Sequence, residues 1–273
     1  MKKSIGKRTS VRSYEKRSLS VEDMTKVLDI LEFVGEKKGP FGHRVAFFFV
    51  DNKNKSGGKI GTYGFVKNPP TFVGGVVENT VEGMVDFGFL FEEVILRLTK
   101  IGLGTVWLGG TFTRSDFDVH VPEGSIIAAV SPVGYGTNQS FREKVVRHFA
   151  KANSRLPFDQ LFFVGKELRH VGENHRYISY LEDIQLAPSA SNKQPWRVVV
   201  IDDIFHFYIK RTDGYGNILK MDIQAIDIGI ALSHLVLSLK EDGQCGEYIV
   251  RKPLELEGTE YIMSVKKNDV STC

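Results

Sequence analysis

Cysteine is scarce in this sequence: its 273 residues include only Cys245 and Cys273. These two do not form the short paired spacing of a zinc site. A disulfide between them stays open but is not expected, so a reducing compartment fits best. The seven histidines include no pair four residues apart with a carboxylate partner. The sequence therefore predicts no metal site.

Long apolar runs are also lacking. No stretch approaches the roughly 18 residues that a membrane-spanning helix needs. The first residues carry charge and contain no apolar segment of the secretory type. We therefore expect a soluble, cytoplasmic protein that has no membrane partner.

An excess of one charge is missing as well. The chain has 36 Lys and Arg against 33 Asp and Glu, which leaves a net charge of +3. Because the two signs alternate along most of the length, a nucleic-acid-binding protein led by the basic N-terminus is the least favoured function. The apolar content of 42% is enough for a substantial core in one large domain or in two of ordinary size.

The patterns that are present predict an α+β fold. Ser20 should cap a helix that ends near Phe33, with an inner face made of Val21, Met24, Val27, Leu28 and Leu31. Three further helices are expected at about Met84 to Lys100, at YISYLEDIQL, and from Ile223 to about Leu239. Strands are expected at HRVAFFFVD, PPTFVGGVV, TVWL, SIIAAVSPVGYG, WRVVVIDD, HFYIKR, GNILKMDI, EYIVRKPLEL and EYIMSVKK.

The order of elements repeats along the chain. LDILEF and LEDIQL precede HRVAFFF and WRVVVID by the same interval, and MVDFG and AIDIG each open a long helix. This shared register predicts duplication and fusion into two halves, residues 1–160 and 161–273. The alternative is that any α+β chain contains some helix and strand patterns that resemble each other without a duplication. Each half also keeps a segment that the other lacks, as expected if only one of two symmetric sites survived.

Arg8, Ser10 and Arg12 occupy alternate positions near the start of the chain. In an extended segment these three side chains project to the same side. Two guanidinium groups with a hydroxyl between them could bind a phosphate. The alternative interpretation is a solvated basic tail, because several lysines lie nearby.

Three segments resemble the FMN-dependent nitroreductase family. They are KRTSVRSYEKRSLSVEDM near the start, GLGTVWLGG in the first half and APSASNKQPWRVVVI in the second, with a weaker likeness at NSRLP. The resemblance implies a three-layer α/β/α fold with mostly antiparallel sheets. It further implies that two pseudo-symmetric halves form an intramolecular pseudo-dimer with one FMN site at their interface. The chain would then function as a monomer, with further association left open.

The resemblance also implies the roles of individual residues. Arg8, Ser10 and Arg155 would bind the FMN phosphate, with Thr9 beside them, and Arg12 would lie near flavin N1 and O2. Gly109 and Gly110 would bring main chain close to flavin N5. One wall of the ring site would consist of Pro188, Ser189, Ala190 and Asn192.

Each of these assignments has a structural alternative. The Pro-Ser-Asn segment could be an ordinary turn, Arg155 could lie in an exposed loop, and the two glycines could form a simple turn between strands. Trp107 and Trp196 are expected in the core. No lysine matches the one that some family members place near the flavin pyrimidine, since Lys67 is displaced.

The function that follows is an FMN-dependent oxidoreductase of the nitroreductase type. It would transfer hydride from NAD(P)H through the flavin to a nitroaromatic, quinone or similar acceptor. No catalytic side chain is predicted, because the flavin would carry the chemistry. The alternative is a non-catalytic or regulatory flavin-binding protein of the same fold.

Overall fold

Two sheets form the framework of the computed structural model, which describes residues 1–52, 60–137, 154–172, 174–216, 219–250 and 254–269. The first sheet has the order β1-β2-β4-β3 and is antiparallel throughout. Its strands are β1 (Ala46–Asp51), β2 (Thr71–Glu78), β3 (Gly104–Thr105) and β4 (Ser125–Gly134). The first sheet therefore lies wholly within the N-terminal part of the chain.

The second sheet comes entirely from the C-terminal part. Its order is β6-β5-β7-β8-β10-β9, in which β5 and β7 are parallel and the other neighbours antiparallel. Its strands are β5 (Phe162–Val164), β6 (Arg169–His170), β7 (Trp196–Ile201), β8 (Ile204–Ile209), β9 (Gln244–Ile249) and β10 (Glu260–Asp269). The α+β class with mostly antiparallel sheets is confirmed. The division at residue 160 remains a prediction.

Six α-helices accompany the sheets within the described residues. They are α1 (Lys2–Lys7), α2 (Val21–Gly35), α3 (Val81–Lys100), α4 (Phe158–Leu161), α5 (Ile178–Gln185) and α6 (Ile223–Glu241). Ser20 caps α2 by accepting a hydrogen bond from the N–H of Asp23, as expected from the sequence. The short helix α1 was not predicted; its Ile5 packs with Leu96 and Leu237 and attaches the N-terminus to α3 and α6.

Helices α3 and α6 cross in close contact at the centre of the molecule. Gly88 of α3 lies against the carbonyl of Ile226, and Gly229 of α6 lies against the carbonyl of Val85. A Cβ atom would come within 2.1 Å of the Ile226 oxygen or 2.0 Å of the Val85 oxygen. The two Asp-x-Gly helix openings identified in the sequence therefore make reciprocal contacts.

Three details of the predicted elements are wrong. Val21 is 77% exposed, and Met24 and Leu28 are also exposed; the buried face of α2 consists of Val27, Leu31 and Val34. TVWL is not a continuous strand, since β3 ends at Thr105 and only Leu108 pairs with β4 beyond it. The described part of GNILKMDI forms no strand because Asp222 caps α6 instead; Asn217 and Ile218 lie outside the described residues.

Helix α6 corrects the expectation about apolar runs. The helix has 19 residues and contains an 18-residue stretch with a mean hydropathy of 1.4, which by length and composition alone would suffice to cross a membrane. However, 89% of that stretch is buried inside the protein. The burial is typical of a core helix, which must be apolar on all sides when neighbours surround it.

Cys245 corrects a second expectation. It lies on β9 and is disulfide-bonded rather than a free thiol. Cys273, the other cysteine of the chain, lies outside the described residues. The argument for a reducing compartment from cysteine usage therefore loses its support.

Candidate functional site

A cavity of about 190 Å³ opens where segments from distant parts of the chain meet. Most residues predicted for cofactor binding line it: Arg8, Ser10, Arg12, Gly109, Arg155, Pro188, Ser189, Ala190 and Asn192. These residues come from four places: the N-terminal segment, the loop after β3, the segment before α4 and the loop before β7. The fold thus gathers into one site side chains that are more than 180 positions apart in the sequence.

The N-terminal segment reaches the cavity because it is held in an extended conformation. Ser10 pairs in parallel with Thr105 of β3, and the N–H of Val11 donates to the Thr105 carbonyl at 2.8 Å. The N–H of Lys67 donates to the carbonyl of Arg12, also at 2.8 Å. Since the backbone is extended, Arg8, Ser10 and Arg12 face the cavity together, as their spacing predicts.

Two predicted residues, both in the described part of the chain, do not line the cavity. Thr9 lies between the cavity-facing positions of the extended segment, and its side chain is exposed. Gly110 lies one residue beyond the lining Gly109, and a Cβ there would meet Leu219 at 2.8 Å. The outward position of Thr9 follows from the alternation of side chains along an extended segment.

The loop before β7 is an unusual turn. Ser191, Asn192 and Gln194 have φ angles of 48°, 56° and 50°, in the left-handed region that non-glycine residues rarely adopt. The side chain of Gln194, which is 2% exposed, accepts from the N–H of Leu156 and donates to the carbonyl of Asn192. Such strain costs about 1–3 kcal/mol per residue and is typical of functional sites.

Arg155 connects the segment after residue 153 to this turn. Its guanidinium donates to the Leu186 carbonyl at 3.2 Å and to the side-chain oxygen of Asn192 at 3.4 Å. Burial lowers the pKa of Arg155, and the positive charge of Arg8 lowers that pKa further. Two guanidinium groups thus lie close together in a partly buried cavity, where an anion would relieve their repulsion.

Trp107 and Gly109 form the wall contributed by the first half. The indole of Trp107 packs edge-on against Phe91 at 4.8 Å, and its N–H donates to Glu92 at 2.8 Å. Trp107 is therefore both a packed side chain and a lining residue, whereas Trp196 is completely buried, as expected. Arg114, which the sequence analysis missed, holds the Gly109 carbonyl by a 2.9 Å hydrogen bond.

Helix α6 supplies lining residues that the sequence analysis also missed. Ile223, Ile226 and Ile230 repeat at intervals of three and four residues and form an apolar floor, with Asp227 between them. Val106, Ala129 and Ser191 complete the lining. The sequence contained one signal, the AIDIG motif, which identified Asp227 as the counterpart of Asp86 but did not place it in the site.

Three residues in the segment after β1 lie outside the cavity lining. Tyr63 and Phe65 are 69% and 49% exposed and do not line the cavity. Lys67 is exposed and contributes its main chain to the N-terminal segment. Within the residues that line the cavity there is no lysine, so its cationic groups are all guanidinium groups.

Comparison with solved structures shows the fold of this chain in another protein. A "putative nitroreductase" from Thermotoga maritima superposes with a TM-score of 0.60 at 18% identity, covering 97% of this chain and 92% of that chain. An FMN-dependent nitroreductase from Clostridium difficile gives a TM-score of 0.38 at 18% identity, over 51% of this chain and 90% of that one. A nitroreductase with bound FMN from Bacteroides fragilis gives 0.37 at 17% identity, over 51% and 89%.

Sequence comparison identifies the family. No curated protein sequence matches this chain significantly. The family model described as "Putative TM nitroreductase" matches residues 1–239. Because that range covers most of the 273 residues, the chain belongs to this nitroreductase family.

Proposed function

We propose that this chain is an FMN-dependent oxidoreductase that takes hydride from NAD(P)H and passes electrons to a nitroaromatic, quinone or similar small acceptor. The observation that carries the proposal is the convergence of Arg8, Ser10 and Arg155 on one cavity that also has apolar lining residues. Bound FMN would supply the redox chemistry itself. The chain's own residues would bind, orient and shield it.

The cationic lining residues fit the FMN phosphate. Arg8 and Arg155 are close enough for the charge of one to lower the pKa of the other. A phosphate near the dianionic state would accept hydrogen bonds from both guanidinium groups and from the Ser10 hydroxyl. The site thus has the charge and the donors that this group requires.

The rest of the cavity fits a flavin ring. Ile226, Ile230 and Ala129 offer apolar surface, which suits a largely hydrophobic heterocycle. Gly109 has no Cβ, so a ligand can approach its main chain closely. A Cβ at this position would also lie only 2.8 Å from Ile223. The half-buried Arg12 would stabilise the negative charge that a reduced flavin carries.

Reconstitution with FMN tests the proposal. The purified chain should bind FMN, and anaerobic addition of NADH or NADPH should abolish the flavin's long-wavelength absorbance. A chain that cannot be loaded with FMN would overturn the proposal. Bound flavin that neither cofactor reduces would instead favour a non-catalytic flavin-binding protein.

The substitution Arg8→Ala tests the phosphate contact. We expect it to weaken FMN binding by about 1.5–3 kcal/mol, the range for a hydrogen bond to a charged group. Riboflavin lacks the phosphate, so its affinity should be unaffected. Arg169→Ala is the control, because Arg169 is exposed on β6. Equal FMN affinity in Arg8→Ala and the unsubstituted chain, measured by fluorescence titration, would show that Arg8 is misassigned.

A further inference from the structure

Asp227 is a buried carboxyl group on the cavity-lining face of α6. Its side chain is 2% exposed and lines the same cavity as Arg8 and Arg155. Oδ1 accepts a hydrogen bond of 2.9 Å from the N–H of Ala190. Among the described residues, no hydrogen-bond donor or acceptor contacts Oδ2. A buried polar atom without a partner is rare in a folded protein and points to a missing ligand group.

Asp86 shows how the same position is satisfied in the first half. It occupies the corresponding place in the Asp-x-Gly opening of α3. Its Oδ1 accepts from the N–H of Phe41 at 2.8 Å, and its Oδ2 accepts from the N–H and ring Nδ1 of His43, both at 2.9 Å. The loop of the first half thus uses both oxygens, whereas the loop of the second half uses one and leaves Oδ2 to the cavity.

The environment of Asp227 favours its protonated form. Burial raises the pKa of Asp227 well above the usual aspartate range; the Ala190 hydrogen bond opposes this rise, and the charge of Asp222 adds to it. Among the described residues, Arg8, Arg12 and Arg155 are the other charged groups that line the cavity, and Tyr215 interacts electrostatically with Asp227. A protonated carboxyl group carries one O–H donor.

We propose that Asp227 contacts the cofactor directly: its Oδ2 carries a proton and donates a hydrogen bond to an acceptor atom of the bound flavin. This inference rests on the proposed function and adds a binding residue to it. Asp227 would then have two tasks, since Oδ1 holds the strained turn through Ala190 and Oδ2 holds the ligand. The flavin would provide the partner that Oδ2 lacks.

The test is the pH dependence of flavin affinity, measured by fluorescence titration. Riboflavin is the main probe because the FMN phosphate itself titrates near neutral pH. Affinity of the unsubstituted chain should fall as the pH rises through the carboxyl pKa, by up to about tenfold per pH unit. Asp227→Asn keeps an acceptor for Ala190 and a donor toward the cavity, so its affinity should not depend on pH in this way.

Asp86→Asn is the matched control, because Asp86 lies in the other half and is not a lining residue; it should retain the pH dependence of the unsubstituted chain. If Asp227→Asn does not fold, Asp227→Ser provides a second variant without a titrating carboxyl group. Identical pH profiles in the unsubstituted chain and the Asp227 variant, or affinity that increases with pH, would overturn the inference. Failure of the unsubstituted chain to bind either flavin at any pH would overturn the proposed function and the inference with it.

Discussion

Glu93 is a nearly buried carboxylate, 3% exposed, held by cations from two elements. Its Oε1 accepts a hydrogen bond from Lys37 Nζ at 2.6 Å and from Arg97 at 2.6 and 2.9 Å. Burial alone would raise the pKa of Glu93, but the hydrogen bonds and charges of Lys37 and Arg97 outweigh it, and the net shift is downward. The group therefore connects the segment after α2 to α3 only while it is ionised.

This environment predicts a loss of stability in acid. Because the folded-state pKa lies below the ordinary value of 4.5, the ionised carboxylate stabilises the fold above that value and less as the pH falls. Glu93→Gln should lower the free energy of unfolding by about 1–3 kcal/mol near neutral pH. Urea unfolding at neutral pH and below pH 4.5 provides the measurement. The difference between the two proteins should shrink in acid; a difference independent of pH would contradict this account.

At the scale of elements, α3 and α6 depend on two glycines for their close approach. Gly88 and Gly229 are interior helical residues, where glycine is normally about 1 kcal/mol less favourable than alanine. At these two positions the higher helix propensity of alanine is outweighed by steric overlap, because a Cβ would overlap a backbone carbonyl of the other helix. A backbone atom cannot move aside as a flexible side chain can.

Alanine substitutions at these positions should therefore destabilise the protein. We expect Gly88→Ala and Gly229→Ala each to cost about 2–3 kcal/mol or more, the upper range for overpacking. Gly6→Ala is the control, because nothing lies within 4 Å of a Cβ at that position in α1. It should change the stability by no more than about 1 kcal/mol, in the stabilising direction. Thermal unfolding compares the three variants, and tolerance of alanine at both central positions would contradict the close packing.

Helix α2 shows why elements are easier to predict than their buried faces. Its Ser20 cap and its periodicity correctly indicated a helix, because both are local signals. The inner face was predicted with Val21, Met24 and Leu28 included, yet these three are exposed. Apolar residues lay on more than one side of α2, and only packing against α3 and β1 selected the side that is buried.

At the scale of the whole molecule, the two predicted halves differ at positions that the sequence motifs align. Asp86 has both carboxyl oxygens engaged by Phe41 and His43. Tyr248, which follows Asp227 at the same interval as Trp107 follows Asp86, packs edge-on against Phe89 at 6.0 Å. Such contacts are expected if only one of two symmetric sites survived; the duplication itself stays a prediction.

We therefore predict one flavin per chain. Both segments proposed to hold FMN belong to a single polypeptide, so no second chain is needed to complete the site. Flavin released from the saturated protein should equal the protein concentration, and light scattering should give the mass of the species that binds it. Two flavins per chain, or one flavin for every two chains, would contradict a single site within each chain.

Some features followed from the sequence by itself. The α+β class and the common direction of the Arg8, Ser10 and Arg12 side chains depend on local periodicity. The family motifs then indicated which of these segments would share a site. Such signals lie within a few residues of each other, so no knowledge of the packing is needed to interpret them.

The tertiary structure alone decided which residues complete the cavity. Residues 223–241 have apolar side chains on every side, with buried polar ones such as Asp227 and His234 among them, so their pattern does not distinguish the face toward the cavity from the face toward α3. The placement of Asp227 likewise depended on how α6 crosses α3 and on where the loop before β7 presents the Ala190 N–H. These contacts join atoms distant in sequence, and their geometry is determined by close packing rather than by local conformational preference.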